Sequence, residues 1–231
     1  WDRVNQRNRT GAVHIDKLQK MCDCMNDDPI PGDPRYGYSK QWQTGMVSAP
    51  INNPLCCCIA AICPMPTAIY LRYKAIDEDM THYSCCQGYY DIACWKAGTL
   101  GEQDCPWPML CMEAWCCHSC AISATRTLIM DTRSIQPDPC DSRLIRLNNA
   151  LQMLSCICSV LAMIDDSFDS IAQLLDLAAD LFYTIISSCM QAQVDLEIKK
   201  GDRADFSKIG QYPLGTSKMM TQQYTGGGGQ G

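Results

Sequence analysis

Cysteine is the residue in this chain with the most chemistry to offer, and its spacing narrows what that chemistry is. Of 231 residues, 18 are Cys and 3 are His. The thiols crowd between Cys56 and Cys120, with Cys22 and Cys24 before them and Cys140, Cys156, Cys158 and Cys189 after. Such density points to metal ligation, disulfides or lipid attachment. Three local patterns favour metal. Cys57-Cys58 is followed by Cys63 after a short apolar run, Cys85 and Cys86 are adjacent, and Cys117-His118-Ser119-Cys120 is a CxxC that offers two thiolates from one turn. A structural zinc ion takes four such donors in a tetrahedron. Cys57, Cys58, Cys63, Cys85, Cys86, Cys117 and Cys120 are therefore the expected metal ligands, with structural zinc as the ion. His118 is read as a surface or hydrogen-bonding residue, because the two flanking sulfurs already satisfy the motif. At least half of the 18 cysteines are expected to be core filler, since a buried free thiol packs as a small hydrophobe.

Other chemistry finds little purchase in the sequence. A redox role for the CxxC needs a βαβ setting, and none is evident. Phosphate loop, dinucleotide fingerprint, nucleophile elbow and paired-His helix are all missing. Asp77-Glu78-Asp79 and Asp165-Asp166 read as helix-end or solvated charges. The balance of 19 basic against 25 acidic residues, net −6, excludes a globally basic nucleic-acid binder. No signal-peptide pattern is visible from Trp1 onward, and the length suffices for a core without staples. Cys156, Cys158 and Cys189 occupy apolar helix positions. A reduced, intracellular chain, cytoplasmic or cytoskeletal, is expected, with a membrane-peripheral location as the alternative.

The elements that must position these thiols are helices. Residues 1–50 read as an extended arm: basic over the first twenty, then broken by Pro29, Pro31 and Pro34, with one short helix around Val13 to Met25. Ile51 to Leu71 carries no charge; its length invites a membrane span, but Pro54, Pro64 and Pro66 interrupt it. A cysteine-rich loop over 54–64 leading into a helix near Thr67 to Ala75 is expected, and then irregular backbone over 80–110. A helix from Met109 to Asp131 buries Leu110, Trp115, Ile122, Leu128 and Ile129, with Arg126 and Arg133 flanking a polar exit. Asp141 is the expected N-cap of a helix to Ile164. A second long helix, Ser167 to Ile198, returns antiparallel and buries Ile171, Leu174, Leu175, Leu181 and Ile185 in the seam. This hairpin is expected to be the core. Its run of 18 uncharged residues from Leu147 to Ile164 also fits a membrane, but Asp176 and Asp180 in the return helix weigh against lipid. The tail from Gly201 is polar and glycine-rich, without core residues.

The fold class expected is thus mainly α. A cysteine-rich irregular module over 54–133 packs on a long antiparallel helical hairpin over 141–198, within a domain of 51–200, with extended terminal arms at 1–50 and 201–231. Ordered arms of that composition need something outside themselves to hold them, because fixing each residue costs roughly 1–2 kcal/mol. Other protein subunits of a larger assembly are the expected partners.

Two blocks of thiols carry a resemblance. Cys57-Cys58-Ile59-Ala60-Ala61-Ile62-Cys63-Pro64, and Cys116-Cys117-His118-Ser119-Cys120 running on to Arg126, resemble the placenta-specific cysteine-rich family of ponzin, cornifelin and the plant fruit-weight and cadmium-resistance proteins. The similarity spans about residues 54–133, and Met65 stands where the family often has another Cys. The resemblance implies a thiol-based structural module in a family linked to membranes, metal-ion handling and cell-number control. The function expected is a non-enzymatic structural or adaptor subunit built around a thiolate–zinc module. A membrane-associated metal-ion handling protein is the alternative, and a secreted disulfide-rich protein the third reading.

Overall fold

Proline, which breaks helices in their interiors, starts them here. The computed structural model describes residues 34–89 and 101–208. The helix expected near Val13, most of both arms, and Cys22, Cys24 and Cys94 lie outside these residues. Among the described residues the chain is mainly helical, with no strand beyond one isolated bridge between Lys40 and Ile135. The helices are α1 (Ala49–Asn52), α2 (Pro54–Ile62), α3 (Pro64–Ala75), α4 (Pro106–Cys116), α5 (His118–Arg133), α6 (Pro139–Ala162) and α7 (Asp169–Lys200). Four of them begin on a proline, whose missing N–H would have had no partner in the first turn anyway. The loop expected over 54–64 is for this reason the helix α2, and α3 starts at Pro64 rather than Thr67. Asp138, not Asp141, caps α6: its carboxylate accepts from the Cys140 N–H at 2.8 Å, because Pro139 takes the first helical position.

The chain divides into two units. Among the described residues, the first covers 138–179. The second covers 34–89, 101–137 and 180–208.

The second unit holds the hydrophobic core. Leu71, Ala75 and Ile76 meet Tyr83, Cys86, Tyr89, Leu110, Leu128, Ile129 and Val194 there. Two broken helices of like design frame it. Cys63 separates α2 from α3 with φ −126° and ψ 65°, and Cys117 separates α4 from α5 with φ −135° and ψ 52°. The single helix expected over 109–131 is split by that second hinge. Nine positions after each hinge stands a buried arginine, Arg72 in α3 and Arg126 in α5. Arg126 thus lies inside, its guanidinium 4.7 Å above the Trp42 ring, and Arg133 is buried as well. Neither forms the polar exit expected of them. Trp115, expected inside, is exposed.

Part of the expected arm is built into this unit. Arg35 is fully buried and donates through Nε to Asp131 Oδ1 at 2.7 Å, while Tyr38 and Tyr89 hydroxyls donate to the same carboxylate at 3.0 and 2.8 Å. The first residues beyond Gly201 return as well: the Asp205 N–H donates to the Thr132 carbonyl at 2.9 Å, and Phe206 stacks on His82 at 4.1 Å.

The first unit pairs α6 with residues 169–179 of α7, and hydrogen bonds cross its seam. Gln152 donates to the Ala179 carbonyl at 3.0 Å, and the Ser155 and Ser159 hydroxyls donate to Asp176. These pairings run antiparallel, as expected. Of the apolar residues expected in the seam, Leu175 is half-buried, Ile171 and Leu174 are exposed, as are Leu154 and Ile157 of α6, and Leu181 and Ile185, which belong to the second unit, are exposed too. The hairpin is therefore not the core. Periodicity had separated two faces of each helix correctly but could not say which of them turned inward.

Asp131→Asn keeps the side-chain shape at the bottom of the second unit and removes its charge. Because disrupting a buried ion pair costs about 3–5 kcal/mol, urea unfolding of this variant should show a loss of about that size with an unchanged slope. A loss under about 1 kcal/mol would show that the pair is not what fixes the N-terminal segment.

Candidate metal centre

A turn in left-handed backbone presents the adjacent thiols. After α3 the chain passes through a short 3-10 turn, Cys85–Gly88, in which Cys86, Gln87 and Gly88 have φ of 47°, 51° and 70°. Such backbone costs roughly 1–2 kcal/mol for each non-glycine residue, so it needs fixing from outside. Gln87 does part of this: its Oε1 accepts from the Ser84 N–H at 2.8 Å and its Nε2 donates to the His82 carbonyl at 3.1 Å. Two carboxylates do the rest. Glu102 accepts from the Cys85 N–H at 3.3 Å, and Glu113 of α4 accepts from the Cys86 N–H at 2.9 Å.

Glu113 is the hub. Its Oε2 also accepts from the Tyr83 hydroxyl at 3.0 Å, and its Oε1 accepts from Arg72 Nη2 at 2.8 Å. Arg72 is itself pinned by Thr125 Oγ1 at 2.8 Å and the Ala121 carbonyl at 2.9 Å. Side chains of Arg72 and Glu113 are sealed from solvent, at 1 % and 0 % exposure. Around this pair, the Cys85 and Cys86 sulfurs and a Glu113 oxygen lie within 4.8 Å of one another. Sulfur and carboxylate donors at such separations can close on one ion, since Zn–S is about 2.3 Å and Zn–O about 2.0–2.2 Å.

The electrostatics make the two thiols unequal. Cys86 donates to Cys85, is buried, and faces the Glu113 charge, all of which hold its proton on far above the ordinary thiol range. Cys85 receives that hydrogen bond and is pushed down, against its own burial and the nearby carboxylates. The same surroundings push the Tyr83 hydroxyl up, through burial first and then the Glu113 charge.

The expected ligands separate into three groups. Cys85 and Cys86 come together. Cys117 and Cys120, at the start of α5, are half-buried, and their thiols are raised chiefly by burial, with the charges of Cys85 and Glu113 adding to it. They border the cluster. Cys57, Cys58 and Cys63 do not join it: Cys57 lies 3.7 Å from Ser188 Oγ, and Cys58 and Cys63 are exposed. None of the seven is in a disulfide. His118 Nδ1 lies 2.8 Å from the Tyr183 hydroxyl, and burial lowers its pKa. Core filling explains few of the cysteines, since among the described ones Cys86 and Cys189 alone are buried. Cys156, placed at an apolar helix position, is exposed.

Glu113 was missed in the sequence, although a signal was there. It is the only charged residue between Asp104 and Arg126, and Arg72 is the residue that ends the uncharged run from Ile51. A lone charge in an apolar helix must find a partner, and these two found each other. No protein-family model matches the chain, and no curated protein or solved structure matches it either.

Proposed function

We propose that this chain is a non-enzymatic, structural metal-binding protein in which Cys85, Cys86 and Glu113 hold a zinc ion that fixes the core of the second unit. The observation that carries this reading is the convergence of two sulfurs and a carboxylate oxygen within 4.8 Å. Charge supports it. Deprotonating both thiols adds two negative charges beside the Arg72–Glu113 pair, which one divalent cation offsets. Burial favours a structural over a catalytic site, because structural zinc sites are closed whereas catalytic ones keep a position open; Cys86 is 1 % exposed. Thiolates select soft ions such as zinc over magnesium or calcium. A closed tetrahedral site needs a fourth protein donor, which the half-buried Cys117 or Cys120 would supply. The cluster also falls within the segment that resembles the cysteine-rich family.

A second reading, the membrane-associated handling of metal ions, is favoured by one observation. The uncharged α2 exposes Leu55, Ile59 and Ile62 along one stripe, and α4 exposes Trp107 and Trp115. Exposed apolar stripes with tryptophan suit a membrane interface.

Elemental analysis of the purified full chain should find about one zinc per molecule, and Cys86→Ser and Glu113→Gln should each lower that content at least about tenfold in dilute chelator. A wild-type preparation free of zinc and other transition metals would overturn the proposal.

Retention should also depend on pH in one direction. Cys86 keeps its proton to high pH in the empty site, so ion capture must expel that proton, and acid returns it. Competition with a chromophoric chelator should show affinity rising by at least about tenfold per pH unit between pH 6 and 8. A flat profile would rule out thiolate ligation.

A further inference from the structure

We propose that the α6–α7 hairpin of the first unit is a membrane-spanning element whose apolar surface is covered by lipid hydrocarbon. This does not depend on the thiol site holding an ion. The hairpin is built with its polarity reversed relative to a water-soluble pair. Its seam is hydrogen-bonded, Gln152 to the Ala179 carbonyl and Ser155 and Ser159 to the Asp176 carboxylate. Its outer faces are apolar: Ile157 is 51 % exposed, Leu174 70 % and Leu177 68 %. Water calls for the opposite arrangement, whereas hydrocarbon calls for polar groups to be satisfied between helices.

Two geometric points select lipid over a second copy of the chain. The apolar faces of α6 and of the opening turns of α7 lie on opposite sides of the shared seam and so point away from each other. One docked partner hairpin covers one of these faces, while a bilayer covers both. Length agrees as well. The uncharged run from Leu147 to Ile164 spans 18 residues, of which the helical part to Ala162 rises about 24 Å against about 30 Å of hydrocarbon. Both helices are long and apolar enough to cross.

One carboxylate is placed for this: Asp176 meets the serines of α6 in the seam, whereas Asp169, Gln173 and Asp180, on the same stripe of α7 at steps of four, three and four, are exposed. The basic residues are unequally placed: Arg143 and Arg146 stand with Asp138 and Asp141 at the entry of α6, while the turn holds Asp165 and Asp169 without Lys or Arg. The positive-inside tendency then puts the arginine end on the cytoplasmic side and the turn across the bilayer.

The full chain, reconstituted with vesicles of phosphatidylcholine and phosphatidylglycerol, should float with them and stay after an alkaline carbonate wash. Ile157→Asp combined with Leu174→Asp should reduce the retained fraction at least about fivefold, since charge at mid-depth opposes insertion, with helix content by circular dichroism unchanged. The wild-type result decides the matter even where the double variant loses helix. A wild-type chain that stays in the aqueous fraction, as a monomer or as a discrete oligomer by light scattering, overturns the proposal, as does a helical double variant retained like the wild type.

Discussion

The second unit is organised around carboxylates that have no access to water. Glu113 and Asp131, both buried, are each answered by a buried arginine and by tyrosine hydroxyls: Glu113 by Arg72 and Tyr83, Asp131 by Arg35, Tyr38 and Tyr89. Neither pair gains much net free energy over well-packed hydrophobes, because both charges had to be desolvated. What the pairs supply is uniqueness. Glu113 can satisfy its oxygens only when α3, α4 and the Cys85–Gly88 turn are all in register, and Asp131 only when the segment from Arg35 to Tyr38 lies against α5. A shift of any one element leaves a charge stranded, and that penalty singles out one arrangement of short helices.

The left-handed turn depends on the same constraint. Three consecutive residues with positive φ would not persist on local preference, given that only the last is glycine. The Cys86 N–H is fixed by Glu113 and the Cys85 N–H by Glu102. The carboxylate that arranges the core therefore also aims the sulfurs, so the site is not an addition to the fold but one of its closing contacts.

How much of this could be read from the sequence follows from which signals are local. Helical periodicity placed the two long helices within a few residues, and the mainly α class with them. Proline misled in the opposite sense from its usual reading, because Pro54, Pro64, Pro106 and Pro139 all stand at first-turn positions where they cost nothing. The pairing of Cys85 with Cys86 was legible because it is contiguous. The separation of Cys57, Cys58 and Cys63 from them was not, since it depends on how α2 and α3 fold around the Cys63 hinge. Glu113 was hidden for a related reason: spacing rules describe ligands close in sequence, and its partners Arg72, Tyr83 and Cys86 lie 27 to 41 residues away. Its isolation as a single charge in an apolar helix was the available clue.

The charge of the cluster changes by two as its thiols give up their protons, and this is what ties structure to chemistry. With protonated thiols, Arg72 cancels the Glu113 charge. With two thiolates the cluster gains two negative charges, which a divalent cation offsets. Each thiolate without a cation adds charge beside the buried Arg72–Glu113 pair, which is costly. The unequal thiols make the passage stepwise: Cys85 is eased toward thiolate by the hydrogen bond from Cys86, and Cys86 gives up its proton last. An ion arriving at the half-buried Cys85 first would supply the positive charge that releases the second proton. The order of burial, Cys85 half-buried and Cys86 inside, matches the order in which the two thiols give up their protons.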